Sequence, residues 1–335
     1  MYLEVISDGE KWKELLSKIG KYDFVHTYDF HKISEENGEG SPVLFAVFDS
    51  DKLLACWPAL KRQIPGTDYV DLSCVYGYGG PVFAVGVTAK NILPIFFEGM
   101  KCFGAVTLFS RMHPVLVSDI EDNASRGEYL GDVVVLDVNK GQSYIDFYRG
   151  GHRREIVNSF KKGLAIKVDW DCSDLASFQN IYQGAMLGLN ARDYYFFSAE
   201  YFKRLAEAKD FKVIIIFAEY EGAKIAASMF IVANNIMQYY LSGTDYRFRN
   251  LAASKAIIAK AHELADEMGL SCLILGGGVG SSKDSLFRFK AGFSDNYQPF
   301  YVIKKVLDEE IYRGLCADKE VSTDTAGHFP PYRSV

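Results

Sequence analysis

The residues best placed to do chemistry are in Leu273-Ile-Leu-Gly-Gly-Gly-Val-Gly280 and the stretch that follows it, Ser281-Ser-Lys-Asp-Ser-Leu-Phe-Arg-Phe-Lys-Ala-Gly-Phe293. The pattern predicts an apolar strand, a glycine turn and a short amphipathic helix carrying Arg288, Phe289 and Lys290. A helix opened by glycines presents backbone N–H groups and a positive dipole end, suited to an anion or a polarised carbonyl. Gly277, Gly278 and the cationic, aromatic turn behind them are therefore the first candidates for a reaction centre. Named nucleotide motifs do not fit. A G-x-G-x-x-G would run Gly276, Gly278 and Ser281, and no Gly-Lys-Ser/Thr follows.

Three further segments carry polar or aromatic groups in useful patterns. Gly151-His-Arg-Arg-Glu155 leads into Lys161 and Lys162, so one helix would present Arg153 and Arg154 about two turns from two lysines, a stripe suited to phosphate or carboxylate. Tyr76-Gly-Tyr-Gly-Gly-Pro81 is a turn where the backbone can approach a ligand while the hydroxyls of Tyr76 and Tyr78 face a cleft. Nearby, Arg111 and His113 alternate at the end of a strand and share a face. In Gln238-Tyr-Tyr-Leu-Ser242 alternation sends Tyr239 and Tyr240 to opposite faces, and Tyr240 is taken as the one lining a cleft. Metalloprotease and serine-hydrolase signatures are absent, and no metal site is expected.

The elements that must position these residues follow from periodicity. Helix patterns cover 11–19, 27–36, 89–100, 175–189, 199–208 and 252–268, with a connecting helix over 144–162. Strand patterns cover 43–49, 53–61, 69–72, 212–219, 224–232, 237–242 and 272–275, with others near Val106 and Val133. Helix pair, antiparallel strands, helix, strand: this order occurs twice. A length of 335 residues is also more than one core usually sustains. Two related α/β (α+β) domains are expected, at 1–140 and 141–315, each a mixed, mainly antiparallel sheet flanked by helices, followed by a loose polar tail over 316–335.

The net charge of −6 argues against a general nucleic-acid coat, and DNA is not an expected partner. Six cysteines stand singly, as reduced thiols do in the cytoplasm. Neither a secretory signal nor a membrane-spanning run is read, so the expected location is cytoplasmic.

Together, Tyr76-Gly-Tyr-Gly-Gly-Pro81, the Arg-Arg helix ending at Gly163, and Gly276 to Phe293 resemble the FemAB family of tRNA-dependent aminoacyltransferases of peptidoglycan bridge synthesis and its GNAT-type relatives. The resemblance runs from Phe24 to Leu307. It implies two GNAT-like domains, a peptidoglycan or glycan precursor as acceptor, an acyl donor that is aminoacyl-tRNA or acyl-CoA, and no tightly bound cofactor. Carried onto this chain, it gives Phe289, Arg288, Gly277 and Gly278 to the donor. Lys290 supports developing negative charge; for the proton the residues leave Tyr240, Asp284, water and the substrate itself open. Arg153, Arg154, Arg192, Tyr194, Tyr76, Tyr78, Arg111, His113 and Lys32 go to the acceptor. The chain departs from these relatives in two places. The long helical arm of some members is missing. The GNAT Arg/Gln-x-x-Gly-x-Gly/Ala loop is replaced by Arg247-Phe-Arg-Asn-Leu-Ala252, with Asn250 where the pyrophosphate-cradling glycine stands. Two alternative readings stay open: an acyl-CoA-dependent N-acyltransferase acting on an amino sugar or peptide, and a glycopeptide-binding protein without catalysis.

Overall fold

The computed structural model describes residues 1–116, 120, 123–138, 143–324 and 327–334. Contacts divide the chain into two units, Met1–Leu130 with Pro299–Val335, and Gly131–Gln298. The expected boundary at 140 and 141 lies outside the described residues, and the last segment groups with the first unit.

The first unit opens with β1 (Tyr2–Ile6), α1 (Gly9–Ile19), α2 (Tyr28–Glu36), the hairpin β2 (Ser41–Asp49) and β3 (Lys52–Gln63), β4 (Val70–Ser73) and β5 (Val82–Phe83). It continues with α3 (Ala89–Cys102), β6 (Ala105–Arg111) and the short α4 (Asn123–Arg126). Alternation along β2 explains the layering. Leu44, Ala46 and Phe48 pack with Trp12, Leu15 and Leu16 of α1, while Val43, Phe45 and Val47 join Ile92, Leu93 and Phe96 of α3. Strand β4 runs parallel to β6, as the α3 crossover requires.

The second unit follows the same plan. Strand β7 (Glu128–Asp137) enters it, followed by α5 (Gly150–Lys161), β8 (Ala165–Asp169), α6 (Leu175–Gly188) and α7 (Ala199–Glu207). Next come β9 (Lys212–Tyr220), β10 (Ala223–Ala233), β11 (Ile236–Thr244), α8 (Ala253–Glu267), β12 (Cys272–Gly276) and α9 (Ser285–Lys290). Its strands lie in the order β7-β12-β11-β10-β9-β8, and only β11 and β12 are parallel. Buried Ala253, Ala256, Ile257, Ala261, Leu264 and Ala265 recur at helical spacing, so α8 presents a thin face that seats close to the sheet. With α6 on the same sheet, β10 is buried almost end to end, which accounts for an apolar run broken only by Lys224 and Ser228. Both units are thus mixed, mostly antiparallel α/β sheets flanked by helices.

The chain then returns to the first unit as β13 (Tyr297–Val306), antiparallel to β6, and α10 (Glu309–Asp318). The expected loose tail is corrected here. Phe329 and Tyr332 are buried with Val106, Tyr312 and Leu315. The Tyr332 hydroxyl lies 2.8 Å from Thr107 Oγ1, and Arg333 Nε donates to the buried carboxylate of Asp71 at 2.5 Å. The expected helix over 144–162 is likewise shorter, a single turn at 144–146 and then α5 from Gly150.

Candidate functional site

The strand, glycine turn and short helix form as the sequence predicts, and the turn is tied together from within. Asp284 caps α9, accepting from Phe287 N at 2.9 Å and from Val279 N at 3.2 Å. Those backbone bonds lead the effects that hold its carboxyl below the usual range, so its main local duty is to close the turn. The Ser281 and Ser282 amides point back to the carbonyls of Gly278 and Val279. Several N–H groups of the turn are therefore already spent. Space around it is tight: a Cβ on Gly278 would lie 2.1 Å from Ser282 O, and one on Gly277 3.0 Å from Asp132 O.

Lys290 lies at the end of α9, buried, with Nζ donating to Gly277 O at 2.8 Å. Burial lowers its pKa to about 8, opposed by the nearby Asp284 charge. One of the three ammonium hydrogens is used in that bond. The same helix turns its other candidates elsewhere. Phe289 packs into the core of the unit, with its ring 5.8 Å from both Phe293 and His152. Exposed Arg288 donates to Lys283 O. His152, which the sequence did not single out, donates from Nε2 to Phe289 O at 2.8 Å and fits against Gly292, fixing α9.

The second part of the site is an opening in the sheet. Strands β11 and β12 are in register only over Ile236↔Cys272, Met237↔Leu273 and Gln238↔Ile274. Beyond that, among the described residues, the two strands are no longer paired and β11 runs on to Thr244. A bulge falls in the parted segment. Met229 pairs with Leu241 and Phe230 with Tyr239, so Tyr240 is the extra residue. Tyr239 packs against the core, as expected of one of the two tyrosines. Tyr240 reaches Tyr201 of α7, hydroxyl to hydroxyl at 2.5 Å. Tyr201 in turn stacks on Phe197 at 4.3 Å, and the Tyr182 hydroxyl donates to Tyr195 O, anchoring the loop that carries exposed Arg192 and Tyr194. Tyr240 is thus joined through Tyr201 to Phe197, against which Tyr194 packs at 6.3 Å; Tyr201 is a residue the sequence reading missed because α7 lies 39 positions from its partner.

Past Thr244, Arg247 forks onto Asp245, with Nη2 2.6 Å from Oδ2. Ala252 takes a left-handed φ of 49° where the loop enters α8. Beside this loop lies a pocket of about 830 Å³ in the second unit, walled by α6 and by Ser242, Gly243 and Thr244 of β11.

The remaining candidates are dispersed. On α5, Arg154 is exposed and Arg153 reaches Asp146 at 3.5 Å. In the first unit Lys32 pairs with Glu35 on its own helix. Tyr76 and Tyr78 are half-buried, with the Tyr78 ring against Phe300. The Arg111 guanidinium lies over Phe109 and near Cys74 Sγ. His113 is buried: Nε2 meets Asp23 Oδ2 at 2.9 Å, and Nδ1 accepts from Leu116 N. Its geometry is that of a positioned core histidine rather than of a side chain open to substrate, because both ring nitrogens are used. Among the described residues no cluster of His, Cys, Asp and Glu could hold a metal, and no helix is long and apolar enough to cross a membrane.

Comparison with known proteins bears on this geometry. Residues 202–298 match the model of the FemAB family, a span that holds β11, the parting of β11 from β12, the glycine turn and Lys290. The fold is similar to that of FemX, with a TM-score of 0.72 at 12% identity over 93% of this chain and 99% of that one. It is also similar to L-PGS from Bacillus licheniformis, with a TM-score of 0.56 at 13% identity over 88% of this chain and 91% of the other. A tandem GNAT protein of the clavulanic acid biosynthesis pathway aligns with a TM-score of 0.50 at 8% identity, covering 90% and 98%. No curated protein matches the sequence. These likenesses bear out the GNAT-like α/β fold that the family resemblance implies.

Proposed function

We propose that this chain is a FemAB-type acyltransferase, moving an aminoacyl group from aminoacyl-tRNA to an amine of a peptidoglycan or other cell-envelope precursor in the cytoplasm. The observation that carries the reading is the FemAB match over 202–298, because it falls on the segment where the two parallel strands separate and Lys290 is buried behind a glycine turn.

In this reading the acceptor amine attacks the ester carbon of the donor. A C–N bond forms, the C–O bond to the carrier breaks, and the amine proton leaves with the carrier hydroxyl. The Lys290 ammonium, anchored on Gly277 O, supports the negative charge that develops on the acyl oxygen, a type of contact worth roughly 2.7–4 kcal/mol. Tyr240, coupled to Tyr201, is the proton-handling group we assign. Asp284 is given the capping role its hydrogen bonds describe. Arg192 and Tyr194 on the anchored loop, the Arg153 and Arg154 face, and Lys32, Tyr76, Tyr78 and Arg111 of the first unit are assigned to the acceptor and its anionic carrier.

The test incubates the purified chain with UDP-linked muropeptide and, separately, alanyl-tRNA, seryl-tRNA or acetyl-CoA, and reads amide formation by mass spectrometry. Mass addition with a charged tRNA supports the reading. Addition with acetyl-CoA alone replaces it by CoA-dependent acylation, whereas muropeptide binding without turnover of any donor leaves a binding protein.

A further inference from the structure

Helix α9 is six residues long, too short to hold its own shape in water. Asp284 closes its first turn, and two contacts from the start of α5 hold its last. Arg149 N donates to Gly292 O at 2.9 Å, and His152 Nε2 lies 2.8 Å from Phe289 O. A carbonyl oxygen only accepts, so the proton of the neutral imidazole is on Nε2. Burial leads the effects that lower the His152 pKa, which favours that neutral form.

The bond falls at a telling place. Phe289 C=O and Lys290 N belong to one peptide group, which moves as a nearly rigid plane. His152 therefore grips the peptide from which the Lys290 side chain departs. The ring is itself located on its other sides. It meets Phe293 edge to face at 4.8 Å and Phe289 at 5.8 Å. A Cβ on Gly292 would lie 2.2 Å from His152 Nε2, and no left-handed φ calls for glycine there, so Gly292 is the space that admits the imidazole. From the held peptide the Lys290 side chain runs back to Gly277 O, 2.8 Å from Nζ. An ammonium on a flexible four-carbon stem loses its aim when its backbone slips, and a misplacement of about 1 Å can cost roughly 10²-fold in rate.

We propose that His152 is a positioning residue for Lys290: its Nε2–H bond to Phe289 O, made in the space left by Gly292, sets where the ammonium lies. The inference rests on the transferase reading for what the ammonium does, and on geometry alone for where it is held. It also divides the Gly151-His-Arg-Arg154 segment by role, with the histidine turned to α9 and Arg154 exposed.

Three variants test it. His152→Phe keeps an aromatic ring without the donor, His152→Gln offers an amide N–H from about the same place, and Gly292→Ala crowds the ring. With isotope-labelled lysine and no substrate present, NMR follows the Lys290 Cε signal, assigned by its loss in Lys290→Met, through a pH titration. Mass spectrometry follows transfer separately. In His152→Phe and Gly292→Ala the Lys290 titration should move by about one unit toward the ordinary lysine value, and kcat should fall about tenfold or more with KM within about twofold. His152→Gln should stay close to the wild type in both. An unmoved titration in both His152→Phe and Gly292→Ala, equal shifts in the Phe and Gln variants, or loss of folding in both His152→Phe and Gly292→Ala overturns the inference. A moved titration in a chain that transfers no acyl group supports the role of His152 and overturns the transferase reading instead.

Discussion

A buried ammonium gives up much of its hydration, and Lys290 recovers one carbonyl contact in return. Its depressed pKa has a definite sign in the stability. Between about 8 and the ordinary lysine value of 10.5 the unfolded chain keeps a proton that the folded chain has lost, so stability rises with pH across that window. Below about 8 the cost of burying the charge is present in full. Lys290→Met should therefore keep or raise Tm at pH 7 and abolish the rise between pH 8 and 10, read by thermal melts at several pH values. If the ammonium supports the acyl oxygen, Lys290→Met also lowers kcat by about 10²–10³-fold, and the wild-type rate falls as pH passes about 8. An unchanged rate in the variant removes Lys290 from the chemistry. Histidine gives a second test. Burial lowers His26 to about 3 and His31 to about 4, below their ordinary 6.5. The unfolded chain takes up protons first as pH falls below 6.5, so each histidine should cost about 1.4 kcal/mol of stability per pH unit down toward its folded value. Urea melts at pH 7 and pH 5 measure it; equal midpoints would contradict it.

Among the elements, the glycine turn was legible because glycine, an apolar strand and a polar helix start all constrain the same few φ/ψ values. Gly276 at φ 88° and Gly280 at φ 59° take left-handed conformations there, while Gly278 is present for space rather than for φ. Gly278→Ala should drive a methyl into Ser282 O and the Asp284 carboxylate, lowering stability by about 1–3 kcal/mol and loosening α9. Amide exchange at Val279 and Phe287, whose N–H groups both bond to Asp284, would report it. A variant with native protection at both amides would show that the turn can relax. The bulge at Tyr240 could not be read in the same way. Gln238 to Ser242 alternates like any strand, and the extra residue appears only when β11 is paired with β10. Strands β1, β8 and β13 were missed for a related reason. Only Ile6 of β1 is fully buried and none of β8 is, and Pro299 interrupts the pattern of β13.

On the scale of the molecule, the repeated order of helices and strands announced two similar units, since each unit must cover both faces of a sheet with helices near in sequence. What periodicity could not convey is that one unit is discontinuous. Strand β13 carries the chain back to β6, and its pairing joins residues nearly two hundred positions apart. The same blindness to long range hid the C-terminal segment, whose polar composition and paired prolines resemble a disordered end. Its few apolar groups, Phe329 and Tyr332, are buried, and Asp71 is shared between Arg62 at 2.8 Å and Arg333 at 2.5 Å. Removing residues 327–335 would open the cluster around Tyr312 and leave the buried Asp71 carboxylate to Arg62 alone. We expect a loss of about 3–5 kcal/mol, comparable to truncating a buried aromatic side chain. Arg333→Ala alone should give a smaller loss, because Arg62 remains. Calorimetry on the full chain, the truncated chain and the point variant orders the three. A truncated chain as stable as the full one would mean that the segment only rests on the first unit, whereas the expected order makes it the last structural element of that unit.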